Sequence, residues 1–235
     1  MQLKEIEKLA ASVMEKAVDA KEVAGVNLLV LKDKAPVLSL QAGYADLENK
    51  VLMADDTIMR LYSMSKPITA ACMMILMQRG LVDLNDPVSK FIPAFANQTY
   101  VNGNALSLVQ RPMTVHDLLF MTSGLSYGSD SAAGKATSDL FAEMDARLST
   151  KDAMTTREFA DRVGKNPLEF EPSSNFMYGI SADILGALIE VISGMSFAEF
   201  LKKEITDPLE MPDTGFFVPA QKQSRLSKVY ARTEN

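Results

Sequence analysis

One cysteine and one histidine are all that this 235-residue chain offers to a soft metal ion. A zinc site draws on several Cys and His ligands, so none is supported, and no metal or cofactor is expected. Cys72 by itself excludes an internal disulfide and fits a reducing compartment. An excess of positive charge is also missing: 24 Lys and Arg stand against 30 Asp and Glu, for a net charge of −6. Phosphate contact needs clustered Lys and Arg, so no nucleic-acid partner is expected. The longest unbroken apolar run, residues 70–77, is too short to span a bilayer, and no membrane partner is expected. The first twenty residues carry charges throughout and lack the apolar centre of a signal peptide, which predicts a cytoplasmic protein. No glycine-rich phosphate-binding fingerprint occurs, so a nucleotide site has no support.

What is present is enough apolar residue, 47% of the chain, to bury a sizeable core in one large domain or two interleaved ones. Leu3, Ile6, Leu9, Val13 and Ala17 recur at helical spacing and predict an amphipathic helix packed on a sheet. Two β-like runs, 25–31 and 36–44, flank the charged turn Lys32-Asp33-Lys34 and predict a hairpin. A third short β-like run, 57–62, leads into Ser63-Met-Ser-Lys66. From there Ile68, Ala71, Cys72, Ile75 and Met77 form a nearly all-round apolar helix. A short helix is expected from Thr114 to near Gly124, a loop over the Gly-, Ser- and Ala-rich 125–137, and helices over 138–148, 155–164, 181–193 and 196–205.

The chemistry narrows by elimination. A nucleophile elbow reads G-x-S-x-G, and the nearest approaches, around Ser181 and Ser196, both lack the second glycine. His116 precedes both serines, against the Ser…Asp…His order of that fold. A serine activated by lysine remains. Ser63 and Lys66 are three residues apart and share a face if the helix starts at or just before Ser63. A serine hydroxyl is a poor nucleophile until a neighbour takes its proton, and a lysine does so once its surroundings lower its pKa. The tetrapeptide alone is weak: 19 serines and 16 lysines in 235 residues make about one such match expected by chance, and one is found.

Its surroundings are specific. The stretch Leu61-Tyr-Ser-Met-Ser-Lys-Pro-Ile-Thr-Ala-Ala, followed by Gly80-Leu-Val-Asp-Leu-Asn-Asp-Pro, resembles the active-site helix and following turn of the class C β-lactamase superfamily. The blocks Met113-Thr-Val-His-Asp-Leu-Leu-Phe-Met-Thr-Ser-Gly-Leu125, Tyr178-Gly-Ile-Ser-Ala-Asp-Ile-Leu-Gly186 and Pro208-Leu-Glu-Met-Pro-Asp-Thr-Gly-Phe216 follow in the family's order and spacing. The resemblance runs from residue 25 to residue 217. It implies an α+β, β-lactamase/transpeptidase-like fold, an antiparallel sheet flanked by helices plus a mainly helical domain. Residues 1–60 would supply the helix and hairpin of the α/β domain, 61–215 the helical domain with the active-site helix, and 216–235 the start of the return to the α/β domain.

The resemblance also implies roles. Ser63 matches the nucleophile, Lys66 its activating base, and Tyr178 the tyrosine that relays the proton to the leaving group. Tyr127, after the Thr-Ser-Gly-Leu loop, is a candidate to line the acyl or alcohol pocket. Ile180 stands where the β-lactamases have an asparagine, which weakens a β-lactam reading, while Asp183 fits the esterase and transacylase branch. His116 and Met121 replace the usual arginine and histidine of the Thr-Ser-Gly block, and His116 is read as structural. Ser173 and Glu210 each replace a glycine. The expected function is a serine hydrolase acting through an acyl-Ser63 intermediate, a carboxylesterase on small or medium acyl esters. The alternatives are a β-lactamase, a D-Ala-D-Ala carboxypeptidase or D-aminopeptidase, an acyltransferase of the same superfamily, or a non-catalytic binding scaffold. The expected small-molecule substrate is an ester or amide. The family's third motif, Lys-Thr-Gly, His-x-Gly or Trp-x-Gly on a later strand, has no match after Phe216. The C-terminal strands are therefore expected to be missing from this chain and to come from a separate segment or chain that completes the sheet.

Overall fold

Asp33 and Lys34 both take left-handed backbone angles, with φ of 52° and 65°. A two-residue loop of that kind matches the right-handed twist of the strands it joins. Strand β1 (Gly25–Lys32) accordingly turns back into β2 (Ala35–Asp46), paired antiparallel from Gly25↔Gly43 to Lys32↔Ala35. A short β3 (Val51–Leu52) pairs with the far end of β2, giving the order β1-β2-β3 with β1 at an edge. The computed structural model describes residues 3–231. Met1, Gln2 and residues 232–235 lie outside the described residues, and with them the outer ends of the expected 1–60 and 216–235 segments. The chain divides into two units, Met1–Tyr62 with Phe216–Asn235, and Ser63–Gly215.

In the first unit, helix α1 (Leu3–Asp19) lies mainly on β2. The expected contact face is corrected. Leu3, Leu9 and Val13 are 50–58% exposed, and the helix turns Met14 inward, with Ala10, Ala17 and Val18 beside it. Run 57–62 is not a strand. Thr57 closes a turn on Ala54, its N–H donating to the Ala54 carbonyl and its Oγ1 accepting the Ala54 N–H at 2.9 Å, and only Ile58 pairs, with Leu226.

The second unit holds the main core. Helix α2 (Ser65–Gln78) buries Thr69, Cys72, Met73 and Leu76, spaced as one helical stripe, while Ile68, Ile75 and Met77 are only partly covered. A hairpin follows that the sequence reading did not anticipate, β4 (Thr99–Asn102) and β5 (Ala105–Leu108). Helix α3 (Val115–Leu119) is short, with a Thr114–Asp117 capping box at its start. Asp117 is fully buried and receives both Arg111 guanidinium nitrogens, at 2.7 and 2.9 Å. Burial alone would raise its carboxyl, but Arg111 and Thr114 outweigh that and hold it below the ordinary value. Helix α4 (Ala132–Arg147) starts six residues earlier than expected, and α5 (Thr156–Val163) and α6 (Ser181–Ser193) follow. α7 (Phe197–Leu201) ends in one π turn, Lys202–Thr206. α6 packs on α2, and Ile184, Leu188 and Ile189 are fully buried.

Ser173 and Glu210, the two residues standing where the resembling family has glycine, both keep left-handed angles, with φ of 73° and 53°. That geometry costs a residue with a Cβ about 1–2 kcal/mol, partly offset by the roughly 0.5–1 kcal/mol of extra entropy that a glycine loses on folding. The double variant Ser173→Gly, Glu210→Gly should therefore melt about 3–6 °C higher. A melting temperature unchanged or lowered in thermal denaturation would show that neighbouring contacts already absorb the strain.

Candidate active site

Immediately before the serine, Tyr62 takes φ of 46°, a left-handed angle rare for a bulky residue. It opens a 3₁₀ turn, Tyr62–Met64, and the α-helix proper begins only at Ser65. Ser63 thus sits on the tight turn at the mouth of α2 and is exposed. One turn on, Lys66 is half-buried and reaches back, its Nζ 3.2 Å from Ser63 Oγ. The pair shares one face, as the three-residue spacing requires.

Two tyrosines from distant loops converge on the same ammonium. Lys66 Nζ donates to Tyr127 Oη at 2.9 Å and lies 4.6 Å from the centre of the Tyr178 ring. The two rings are tilted against each other with centroids 6.1 Å apart. Gly179 makes the approach possible, because a Cβ there would stand 1.9 Å from the Leu125 carbonyl oxygen. Any side chain would force the Tyr178 turn off the Tyr127 loop.

The electrostatics follow from this crowding. Burial alone would lower the Lys66 ammonium, but its bond to Tyr127 and the nearby Tyr178 phenol outweigh that and leave it above its ordinary value. The Tyr178 phenol is held below its ordinary value, first by Lys66 and then by Ser63. A lysine whose pKa is lowered enough to act as a neutral amine, the condition set out for a base at this position, is thus not what these surroundings favour. Asp183, in the first turn of α6, has its carboxyl raised by loss of solvation, against a backbone hydrogen bond and the pull of Lys66.

Other singled-out residues lie apart from this chemistry. Ile180 is fully buried, so its side chain faces the core. His116 stacks on Phe120 with ring centroids 4.3 Å apart. Ser181 is buried and hydrogen-bonded to Ser123 Oγ at 2.8 Å, and Ser196 caps α7. Among the described residues no group of three or more His, Cys, Asp or Glu is placed to hold a metal ion. No single helix among them is long and apolar enough to cross a membrane. Sequence reasoning placed Tyr127 on a pocket wall and missed its bond to Lys66. Nothing local signals that bond, which joins residues 61 apart.

The fold is that of the penicillin-binding and β-lactamase-like proteins. The chain belongs to the Beta-lactamase family, whose family model matches residues 10–235. It is 30% identical over 210 residues to Esterase EstB of Burkholderia gladioli, an alignment covering 87% of this chain and 50% of that protein. Among solved structures it is similar to EstCE1, a hydrolase with promiscuous acyltransferase activity, at TM-score 0.82 and 27% identity over 99% of this chain and 58% of that one. Simvastatin synthase LovD from Aspergillus terreus shares the fold, with TM-score 0.72 and 22% identity over 97% of this chain and 57% of that one. The chain spans about half the length of the curated relatives it matches.

Proposed function

We propose that this chain carries the nucleophilic half of a serine hydrolase that cleaves small or medium acyl esters through an acyl-Ser63 intermediate. The observation that carries this reading is one ammonium, Lys66, reaching both the Ser63 hydroxyl and the Tyr127 phenol beside a Tyr178 whose phenol is acidified. In the proposed acylation Tyr178 phenolate takes the Ser63 proton and Ser63 Oγ adds to the ester carbonyl. Lys66 stays charged and favours the phenolate form. The Ser63 backbone N–H faces the developing oxyanion. Tyr178 then returns the proton to the departing alcohol oxygen as the C–O bond breaks. Water, deprotonated by the same phenolate, releases the acid and restores Ser63. The 30% identity to an esterase supports an ester substrate, and position 180, its side chain turned into the core, offers no polar group to a lactam. p-Nitrophenyl butyrate should exceed nitrocefin in kcat/KM by at least ~10²-fold, since a site without its polar anchor discriminates strongly. Comparable values would sink the ester assignment.

The same proposal includes a completed sheet. β1 is an edge strand with Leu29 and Leu31 57% and 56% exposed, and α1 leaves Leu3, Leu9 and Val13 uncovered. An open edge and bare apolar faces invite pairing. We propose that strands outside this sequence, on a separate segment or chain, pair with β1 and supply the second oxyanion N–H, worth roughly 2.7–4 kcal/mol in comparable sites. In the assembled protein, β1 amides that point away from β2 should be protected from hydrogen exchange. Exchange there at the rate of an unpaired strand would refute the completed sheet.

A further inference from the structure

The loop that carries Tyr127 is fastened more firmly than a pocket wall requires. Glu169 Oε1 accepts from Ser126 Oγ at 3.0 Å and from Ser129 Oγ at 2.7 Å, one serine on each side of the Tyr127-Gly128 pair. The Glu169 N–H donates to the Gly124 carbonyl at 2.9 Å, and Ser126 is 5% exposed. Gly124 itself holds φ of 78°, with space for a Cβ closed by the Phe170 carbonyl oxygen 2.7 Å away. One carboxylate thus closes the strap over residues 124–129, and the phenol at its centre meets Lys66 Nζ at 2.9 Å. A phenol that only bounded an acyl pocket would have no need to face the ammonium.

We propose that Tyr127, held by the Glu169 strap, is a positioning residue for Lys66, a fixed hydrogen-bond acceptor that keeps the ammonium aimed at Ser63 while Tyr178 moves the proton. The geometry separates the two phenols. Tyr127 Oη accepts from Nζ at 2.9 Å and has no link to Ser63 of its own, whereas the Tyr178 phenol hydrogen-bonds both Lys66 and Ser63, with Nζ 4.6 Å from the centre of its ring. Lys66 donates to Ser63 Oγ from the same atom, so its orientation is set at two points. With one acceptor fixed, Tyr178 is free to change between phenol and phenolate in each cycle without releasing the lysine. The titratable groups facing Lys66 are Tyr127, Tyr178 and Asp183. Of these, Tyr127 makes the largest contribution holding the ammonium up.

The inference rests on the serine-hydrolase reading, and the experiment separates the two. The rate of Ser63 labelling by a fluorophosphonate and kcat/KM for p-nitrophenyl acetate and butyrate are measured across pH for wild type and Tyr127→Phe. The variant should slow both reactions about 10-fold, short of the ~10²-fold floor for groups that transfer the proton themselves. Its alkaline limb should move to lower pH, because the ammonium loses its acceptor. The butyrate-to-acetate ratio should stay as in wild type. Glu169→Ala, which leaves Tyr127 in place but releases the strap, should move the limb the same way by less, and it serves if Tyr127→Phe fails to fold. An unmoved alkaline limb in both variants, or a changed acyl-chain ratio with the limb in place, overturns the positioning role and leaves Tyr127 a pocket wall. Wild type that leaves Ser63 unlabelled overturns the serine-hydrolase reading itself, and this inference with it.

Discussion

Ser63→Ala should lower ester turnover by on the order of 10⁶-fold, the scale on which other serine hydrolases lose rate without their nucleophile. The loss should be this large because Ser63 is the exposed hydroxyl that Lys66 reaches, and no neighbouring group can take over its bond to the acyl carbon. The alternative serines are committed elsewhere. Ser181 is buried against Ser123, and Ser196 Oγ is bound at 2.7 Å by Glu199 in the capping box of α7. A fluorophosphonate should therefore label wild type once, with peptide mapping placing the adduct on Ser63, and should leave Ser63→Ala unlabelled. An adduct on Ser181, Ser196 or any other residue refutes Ser63 as nucleophile. Residual turnover within about 10-fold of wild type would show that acyl transfer does not pass through it.

The hairpin β1–β2 and the apolar helix α2 were legible because each is decided locally. Two β-prone runs on either side of a short charged turn pair with each other, and an apolar helix buries at least one stripe, here Thr69, Cys72, Met73 and Leu76. Where the reading failed, a single residue decided the outcome. Ser131 Oγ accepts the Gly134 N–H and starts α4 inside a stretch whose Gly, Ser and Ala content reads as loop. Asn102-Gly103 is a hairpin signal between two short β-prone runs, and it was available to be read. The three-residue spacing of Ser63 and Lys66 made their proximity readable, but only the surrounding blocks singled the pair out from a chance match. The tyrosines were legible only by resemblance. Their meeting depends on Gly179 letting one loop settle on another, more than fifty residues away in sequence, and no local pattern encodes that contact. The Glu169 strap is equally invisible to local pattern, a carboxylate joined to two serines 43 and 40 residues before it.

Lys66→Ala and Tyr178→Phe should each reduce acylation by at least ~10²-fold, the low end for groups that move or direct a proton. Their pH profiles should separate their roles. In wild type the active form has Tyr178 as phenolate and Lys66 as ammonium. Tyr178 is lowered from its ordinary value and Lys66 raised, so the rate should climb as pH rises through the Tyr178 pKa and fall once Lys66 loses its proton. The two shifts open the window between those limbs, where two isolated side chains would leave almost none. Lys66→Ala removes the charge that acidifies the phenol, so the remaining activity should have its rising limb displaced to higher pH. Tyr178→Phe removes the group that gives that limb, and what activity survives should no longer depend on pH there. A Lys66→Ala profile with its rising limb unmoved would mean that Lys66 does not set the ionisation of Tyr178. Tyr178→Phe turning over at the wild-type rate would reduce the phenol to packing and return the role of base to Lys66.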